Sequence, residues 1–230
     1  LGEGRGFEEL THRAGLGHTT RNMSAWSNGA FDLDNDGWRD LVTARGNVQH
    51  SLAMLSMREA EEPLAIFRNL GGNRFVDVTE AAGPDAMKPL LRRGLAYGDL
   101  DNDGRIDFVT TTLNGHSEHF RNTTQNQNHW ILFLLEGTRS NRMGIGARIR
   151  ITAEDGRVQV NHATTSTGYS ASSDHRVHFG LGKAASIRTV EIVWPSGARQ
   201  TLENVAADQI LKVREPAPAA RPPAARPAKR

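Results

Sequence analysis

Short apolar runs separated by turn-forming residues are the dominant pattern along the chain. Runs at 95–99 and 107–112 are rich in β-branched and aromatic residues, and glycine, asparagine and aspartate lie between them. Similar runs follow in the second half, with no helical segment between them, at 130–135, 147–152, 158–162, 176–179, 189–194, 199–202 and 210–214. The pattern predicts an all-β protein built from short strands.

An internal repeat organises the first half of the chain. Residues 6–15 align with residues 74–83 through a shared Phe, Thr, Ala and Gly, each 68 residues apart. Two aspartate-rich segments, at 32–40 and 99–107, are 67 residues apart, and a Phe-Arg-Asn motif occurs at 67–69 and 120–122. Each copy is predicted to contain four short strands, which is the make-up of a propeller blade. Residues 51–62 have helical composition and are predicted to be a surface excursion of the first copy.

Three segments follow from these patterns. Residues 1–127 are predicted to form two blade units, and two units cannot close a propeller ring, so we expect a partial β-propeller. Residues 128–214 hold the later strands and predict a β-sandwich or small barrel. Residues 215–230 contain five of the nine prolines and little apolar mass, so they are predicted to be an extended, disordered tail.

Charge and composition narrow the classes of function. The pI is about 9.3, but residues 215–230 have a net charge of +3, which leaves −1 on residues 1–214. The body therefore has no basic surface of the kind that binds nucleic acid. Cysteine is absent, which excludes disulfides and thiolate metal sites, and no apolar run is long enough for a transmembrane segment. Because the chain begins at Leu1 in mid-pattern, we expect a processed or truncated piece.

The two aspartate-rich segments are the strongest chemical signal. Carboxylates occupy positions 1, 3, 5 and 9 of each segment and glycine occupies position 6. Ca²⁺ takes roughly six to eight oxygen ligands at about 2.3–2.6 Å, and a tightly wound loop can supply them from alternate side chains plus the main-chain carbonyl of position 7. The predicted calcium ligands are Asp32, Asp34, Asp36, Trp38, Asp40, Asp99, Asp101, Asp103, Arg105 and Asp107.

The ninth position distinguishes these loops from helix-flanked calcium loops. An EF-hand needs a bidentate Glu at position 12, whereas position 12 here is Thr43 or Thr110. The flanking residues are typical of strands, so both loops are expected to lie between strands of a blade. Four carboxylates leave a net charge of −2 around a bound Ca²⁺ and no obvious open position for a substrate. We therefore expect two structural calcium sites.

Both halves resemble known families. Residues 96–107 and 29–37 are similar to the FG-GAP (VCBS-type) repeat of integrin-like β-propellers, which implies that the loop aspartates bind calcium. The second region resembles the ASPIC/UnbV domain of the cartilage acidic protein family, in which that domain usually follows a propeller on a secreted chain. The segments that carry this second resemblance are 128–130, 137–142, 144–147, 178–182 and 193–197. The resemblance supplies no catalytic residues.

Catalytic and cofactor motifs are weak in comparison. Residues 180–185 match G-x-G-x-x-A, but no helix fits before the next strand, so Gly180 and Gly182 are predicted to be turn glycines. The serine, aspartate and histidine of residues 168–175 are adjacent in sequence only, and the G-x-S-x-G elbow of hydrolases is missing. We expect no enzymatic activity.

The sequence therefore predicts a secreted, extracellular or periplasmic, calcium-stabilised binding, adhesion or scaffold protein with an unknown protein or glycan ligand. Two alternatives stay open. The chain could be an accessory part of an extracellular polysaccharide-active enzyme, or a subunit of a larger complex whose other chains supply the remaining blades.

Overall fold

The computed structural model describes residues 8–47, 60–72 and 74–217. Their regular structure is almost entirely β, which confirms the predicted fold class. Two single-turn helices, α1 (Gly17–Thr20) and α2 (Pro84–Met87), lie at equivalent places in the repeat. Within the described residues, the helices are too short to cross a membrane. Most of the excursion predicted at 51–62 lies outside the described residues.

The first repeat unit is a four-stranded antiparallel sheet in chain order. Its strands are β1 (Ala25–Phe31), β2 (Asp40–Arg45), β3 (Ala65–Asn69) and β4 (Phe75–Asp77). Phe31 pairs with Asp40, so the first aspartate loop is the connection between β1 and β2. The first Phe-Arg-Asn motif ends β3, as the repeat predicts.

The second unit differs from the prediction of four strands. The structure places three in its sheet: β5 (Arg92–Gly98), β6 (Asp107–Thr112) and β7 (Glu118–Phe120). Gly98 pairs with Asp107, which closes the second aspartate loop in the same way as the first. After β7 the chain turns back to the first loop, where the side-chain amides of Asn126 and Asn128 bind the carbonyl of Asp34, and it then enters the second domain. This return replaces the fourth strand.

The two units pack against each other through their first strands. The shared core combines Phe31 and Val42 of the first unit with Leu95 and Phe108 of the second, all at most 6% exposed. The ring of Phe31 also stacks on Tyr97, with 4.4 Å between centroids. The apolar face of each blade is thus buried by its neighbour, as expected of consecutive propeller blades.

The second domain is a sandwich of two sheets. Its strands are β8 (His129–Glu136), β9 (Arg148–Ala153), β10 (Val158–His162), β11 (Val177–Gly182), β12 (Ser186–Val193), β13 (Arg199–Ala206) and β14 (Gln209–Arg214). One sheet has the order β10-β9-β12-β13 and the other β11-β8-β14, in which β14 runs parallel to β8. Side chains from both inner faces, such as Phe133, Ile151, Phe179 and Ile187, form one core.

Gly180 and Gly182 were expected in a turn, and that prediction is wrong for Gly180. Strand β11 continues through both residues, and Gly180 pairs with Trp130 of β8. Only Gly182, the last residue of the strand, has the left-handed φ of 60° typical of a turn glycine. Gly180 thus lies within a continuous strand and not in a turn. Glycine is required at this position for another reason, its contacts with the first aspartate loop.

Glu215, which the composition assigned to the tail, is buried and anchors the end of β14. Its Oε2 accepts the main-chain amides of Thr138, Arg139 and Ser140 at 2.8 Å each, and its Oε1 accepts the hydroxyls of Ser140 and Ser196. Burial opposes ionisation of Glu215, but these hydrogen bonds together outweigh it and hold its pKa well below its usual range.

The Glu215→Gln variant is therefore expected to be less stable at neutral pH. Because the folded pKa lies below its ordinary value of 4.5, the contribution of Glu215 is present above that pH and is lost as the pH falls below it. Urea unfolding at a series of pH values should show the gap between wild type and variant closing in acid. A gap that stays constant from pH 7 to pH 3 would contradict this role, and Glu203→Gln on the exposed face of β13 is the control.

Candidate metal centres in the two aspartate loops

The first residue of each loop organises the turn. Asp32 accepts the amide of Gly37 at 2.8 Å, and Asp99 accepts the amide of Gly104 at 2.9 Å. The fourth and sixth residues adopt left-handed φ values between 58° and 91°, which asparagine and glycine tolerate best: Asn35, Gly37, Asn102 and Gly104. These bonds and angles explain why the two loops share one sequence pattern.

The ninth residue fastens each loop to the third strand of its blade. Asp40 accepts the amide of Leu33 at 2.8 Å and that of Asn69 at 2.7 Å. Asp107 accepts the equivalent amides, those of Leu100 and Asn122, at 3.1 and 2.7 Å. Both oxygens of each ninth carboxylate are therefore engaged by the main chain. The aspartate at position 9 positions the loop as well as being a candidate ligand.

Each loop brings three carboxylates within reach of one ion. Ligand oxygens of Asp32, Asp34 and Asp40 lie within 4.8 Å of one another, and those of Asp99, Asp101 and Asp103 do the same. The remaining candidates, Asp36 and Asp107, lie outside these two trios. Asp36 instead accepts the amide of Trp38 at 2.8 Å.

Burial disfavours the ionised form of the aspartates in the first cluster. It raises the pKa of Asp32 to about 8; the amide of Gly37 opposes the shift, and the neighbouring carboxylates of Asp36, Asp40 and Asp34 reinforce it. Burial also raises the pKa of Asp40 to about 6, although hydrogen bonds from the amides of Asn69 and Leu33 act to lower that pKa. The pKa of Asp99 in the second loop is likewise raised by burial. Buried carboxylates in contact favour a bound cation, which restores their ionised form.

The residues present fit a hard divalent cation. Carboxylate oxygens are the ligands that Ca²⁺ prefers. Among the hydrogen bonds of the described residues, none ends on the carbonyl oxygens of Trp38 and Arg105, the main-chain ligands predicted at position 7. Their side chains are not candidate ligands: Trp38 is 45% exposed, and the Arg105 guanidinium binds Asp103 and the carbonyl of Asn122.

The Phe-Arg-Asn motifs contribute residues that sequence reasoning missed. Arg68 lies 2.6 Å from Asp34 and 3.8 Å from Asp36, and Arg121 lies 2.6 Å from Asp101. The arginine of each motif is thus a built-in counter-ion for the loop of its own blade. The sequence did show that the motif recurs along with the loops. The two motifs are 53 residues apart and the two loops 67, however, and this difference hid the pairing of each arginine with its own loop.

These arginines compete with a metal ion for the same carboxylates. Arg68→Gln should slightly lower stability without calcium, by less than about 1 kcal/mol because the Arg68 side chain is half exposed. The same change should tighten calcium binding at the first loop roughly three-fold, since a competing charge is removed. A chelator-competition titration measures this, with the exposed Arg148→Gln as control. Weaker calcium binding by Arg68→Gln would show that the arginine supports the site instead.

Comparison with known proteins agrees with this architecture. No curated protein matches the chain. Residues 32–110, which contain both aspartate loops, match the FG-GAP-like repeat family, and residues 137–220 match the ASPIC and UnbV family. The two matches support the architecture of an FG-GAP-like repeat region followed by an ASPIC/UnbV domain.

Proposed function

We propose that this protein is a calcium-binding, non-enzymatic binding, adhesion or scaffold protein that acts outside the cytoplasm, with one Ca²⁺ in each aspartate loop. The observation that carries the proposal is that both aspartate loops, in phase with the repeat, bring three carboxylates within reach of one ion. Calcium at the millimolar level found outside cells would keep sites of modest affinity loaded. A secreted or periplasmic location and membership of the cartilage acidic protein family are parts of this proposal.

The role proposed for calcium is structural. A bound ion would supply positive charge to carboxylates that burial otherwise disfavours, and it would fix the connection between the first two strands of each blade. In the first loop Asp32, Asp34, Asp36 and Asp40 would hold the ion together with the carbonyl of Trp38. Asp99, Asp101, Asp103, Asp107 and the carbonyl of Arg105 would do so in the second. Recognition of a protein or glycan then belongs to other surfaces.

Calorimetric titration of calcium into chelator-treated protein tests the proposal. We expect two ions per chain, one ion for Asp34→Asn or Asp101→Asn, and none for the double variant. Glu203→Gln, which removes an exposed carboxylate on the edge strand β13 of the second domain, should still bind two. The proposal fails if wild type binds no calcium at millimolar concentration, or if the double variant binds as wild type does.

The subunit alternative is distinguished by native mass measurement. A chain that completes its propeller with other polypeptides should be recovered from its source in a heteromeric assembly, and the loops would still be loaded. An enzymatic alternative requires turnover of a glycan or ester that is lost on changing a residue outside the loops.

A further inference from the structure

The outer face of β11 is built to receive the aspartate loops. Val177, Phe179 and Leu181 are part of the sandwich core, so residues 178 and 180, which alternate with them along β11, fall on the opposite side. That side of the strand faces the repeats. The contacts on that side include both aspartate loops.

The first loop lies directly on the main chain of β11. The amide of Gly182 donates to the carbonyl of Asn35 at 2.8 Å. A Cβ atom at Gly180 would lie 2.0 Å from the Oδ2 of Asp32 and 2.6 Å from the Cα of Asn35. Only glycine therefore allows this approach, which explains a residue without a side chain in the middle of a strand pairing.

The second loop is held by Arg176, next to the start of the same strand. Its guanidinium donates to the carbonyl of Asp99 and, at 2.6 Å, to the Oδ1 of Asn102. The Nε of Arg176 donates to the Oδ2 of Asp174 at 2.6 Å, and this bond fixes the arginine. Strand β11 thus contacts the first loop through its glycines, and Arg176, the residue just before the strand, contacts the second loop.

Further donors engage the carbonyls of the first loop. Asn126 and Asn128 donate to Asp34 at 2.6 and 2.8 Å, and Arg157 of the second domain donates to Asp36. The loops are also linked to each other, since the side chain of Asn35 donates to the carbonyl of Gly104 at 3.1 Å. These donors hold the main chain of the loops in place from outside.

We infer that the ASPIC/UnbV domain is a receptor for both aspartate loops, so that cation binding in the loops and docking of this domain onto the repeats are coupled. The inference rests on the proposed calcium sites. Contacts that hold a loop in its ion-binding conformation lower the entropic cost of ordering that loop when the ion binds. By thermodynamic reciprocity, a bound ion strengthens the same contacts. Arg157, Arg176 and Gly180 are positioning residues in this account and are not ligands.

Gly180→Ala tests the coupling without changing charge. We expect calcium affinity to fall about tenfold, a value within the usual range for coupled sites. Asn128→Ala, which removes one donor to the first loop and introduces no clash, should weaken binding in the same direction if Gly180→Ala fails to fold. Thr201→Ala, on the exposed face of β13 away from the loops, is the control and should bind as wild type does.

Hydrogen exchange tests the reciprocal effect in the full chain. Calcium should slow amide exchange in the peptide covering 176–182, although that peptide contains no predicted ligand, and the Asp34→Asn/Asp101→Asn double variant should show no slowing. The coupling is wrong if wild type binds calcium with no change in that peptide, or if folded Gly180→Ala and Asn128→Ala bind with unchanged affinity. Wild type that binds no calcium would instead overturn the proposed function itself.

Discussion

Removal of calcium with a chelator is expected to lower the melting temperature by about 10–20 °C, and excess calcium should restore it. A ligand at 100 times its dissociation constant stabilises the folded state by about 2.7 kcal/mol per site, so two sites give about 5 kcal/mol. For a chain of this size each kcal/mol corresponds to roughly 2–4 °C. The unfolded chain cannot assemble either carboxylate cluster, so the full effect falls on the folded state.

The thermal shift should depend on the loop carboxylates alone. Replacing Asp34 and Asp101 together by asparagine should abolish it, because each residue belongs to one of the carboxylate trios. Magnesium is the matched ion control, since it demands a tighter octahedral shell and should stabilise far less. A calcium shift that survives the double substitution would place the ions elsewhere.

Replacement of Arg92 by methionine is expected to cost about 3–5 kcal/mol, the usual cost of breaking a buried ion pair. The Arg92 side chain is fully buried in the second blade and is paired with Glu118 at 2.7 Å. Its other nitrogens donate to the carbonyls of Lys88, Glu62 and Asp85. The variant leaves a carboxylate and several carbonyls without their donor. Urea unfolding in saturating calcium measures the loss separately from metal binding.

A double-mutant cycle with Glu118→Gln shows whether the pair carries the effect. The double variant should be less destabilised than the sum of the two single changes, because it leaves no unpaired carboxylate. Arg199→Met on the exposed edge of β13 is the control and should change stability by less than about 0.5 kcal/mol. Arg92→Met with the stability of wild type would contradict the role assigned to this arginine.

The local architecture was accessible from the sequence because it is set by short-range patterns. Short runs of apolar and β-branched residues between turn residues identified the strands, and those at 107–112 and 158–162 agree with β6 and β10 residue for residue. The aspartate loops were equally accessible, because a turn with asparagine and glycine at φ > 0 requires fixed spacing. Their identification as calcium sites stays a prediction.

Long-range contacts were not accessible in the same way. Nothing adjacent in sequence shows that Arg68 reaches Asp34, or that Gly180 lies against Asp32 148 residues earlier. The glycine pattern at 180–182 was interpreted by its local meaning, a turn, whereas the reason for Gly180 is the close approach of another segment. Glu215 was grouped with the proline-rich tail for the same reason, since its partners lie at 138–140 and 196.

We propose that each aspartate loop holds one calcium ion. Anomalous difference density from crystals grown in calcium tests it most directly. We predict two peaks per chain, one among Asp32, Asp34, Asp36 and Asp40 beside the carbonyl of Trp38, and one at the equivalent place beside the carbonyl of Arg105. Ordered loops without peaks, with Arg68 and Arg121 still bound to their carboxylates in millimolar calcium, would contradict the account.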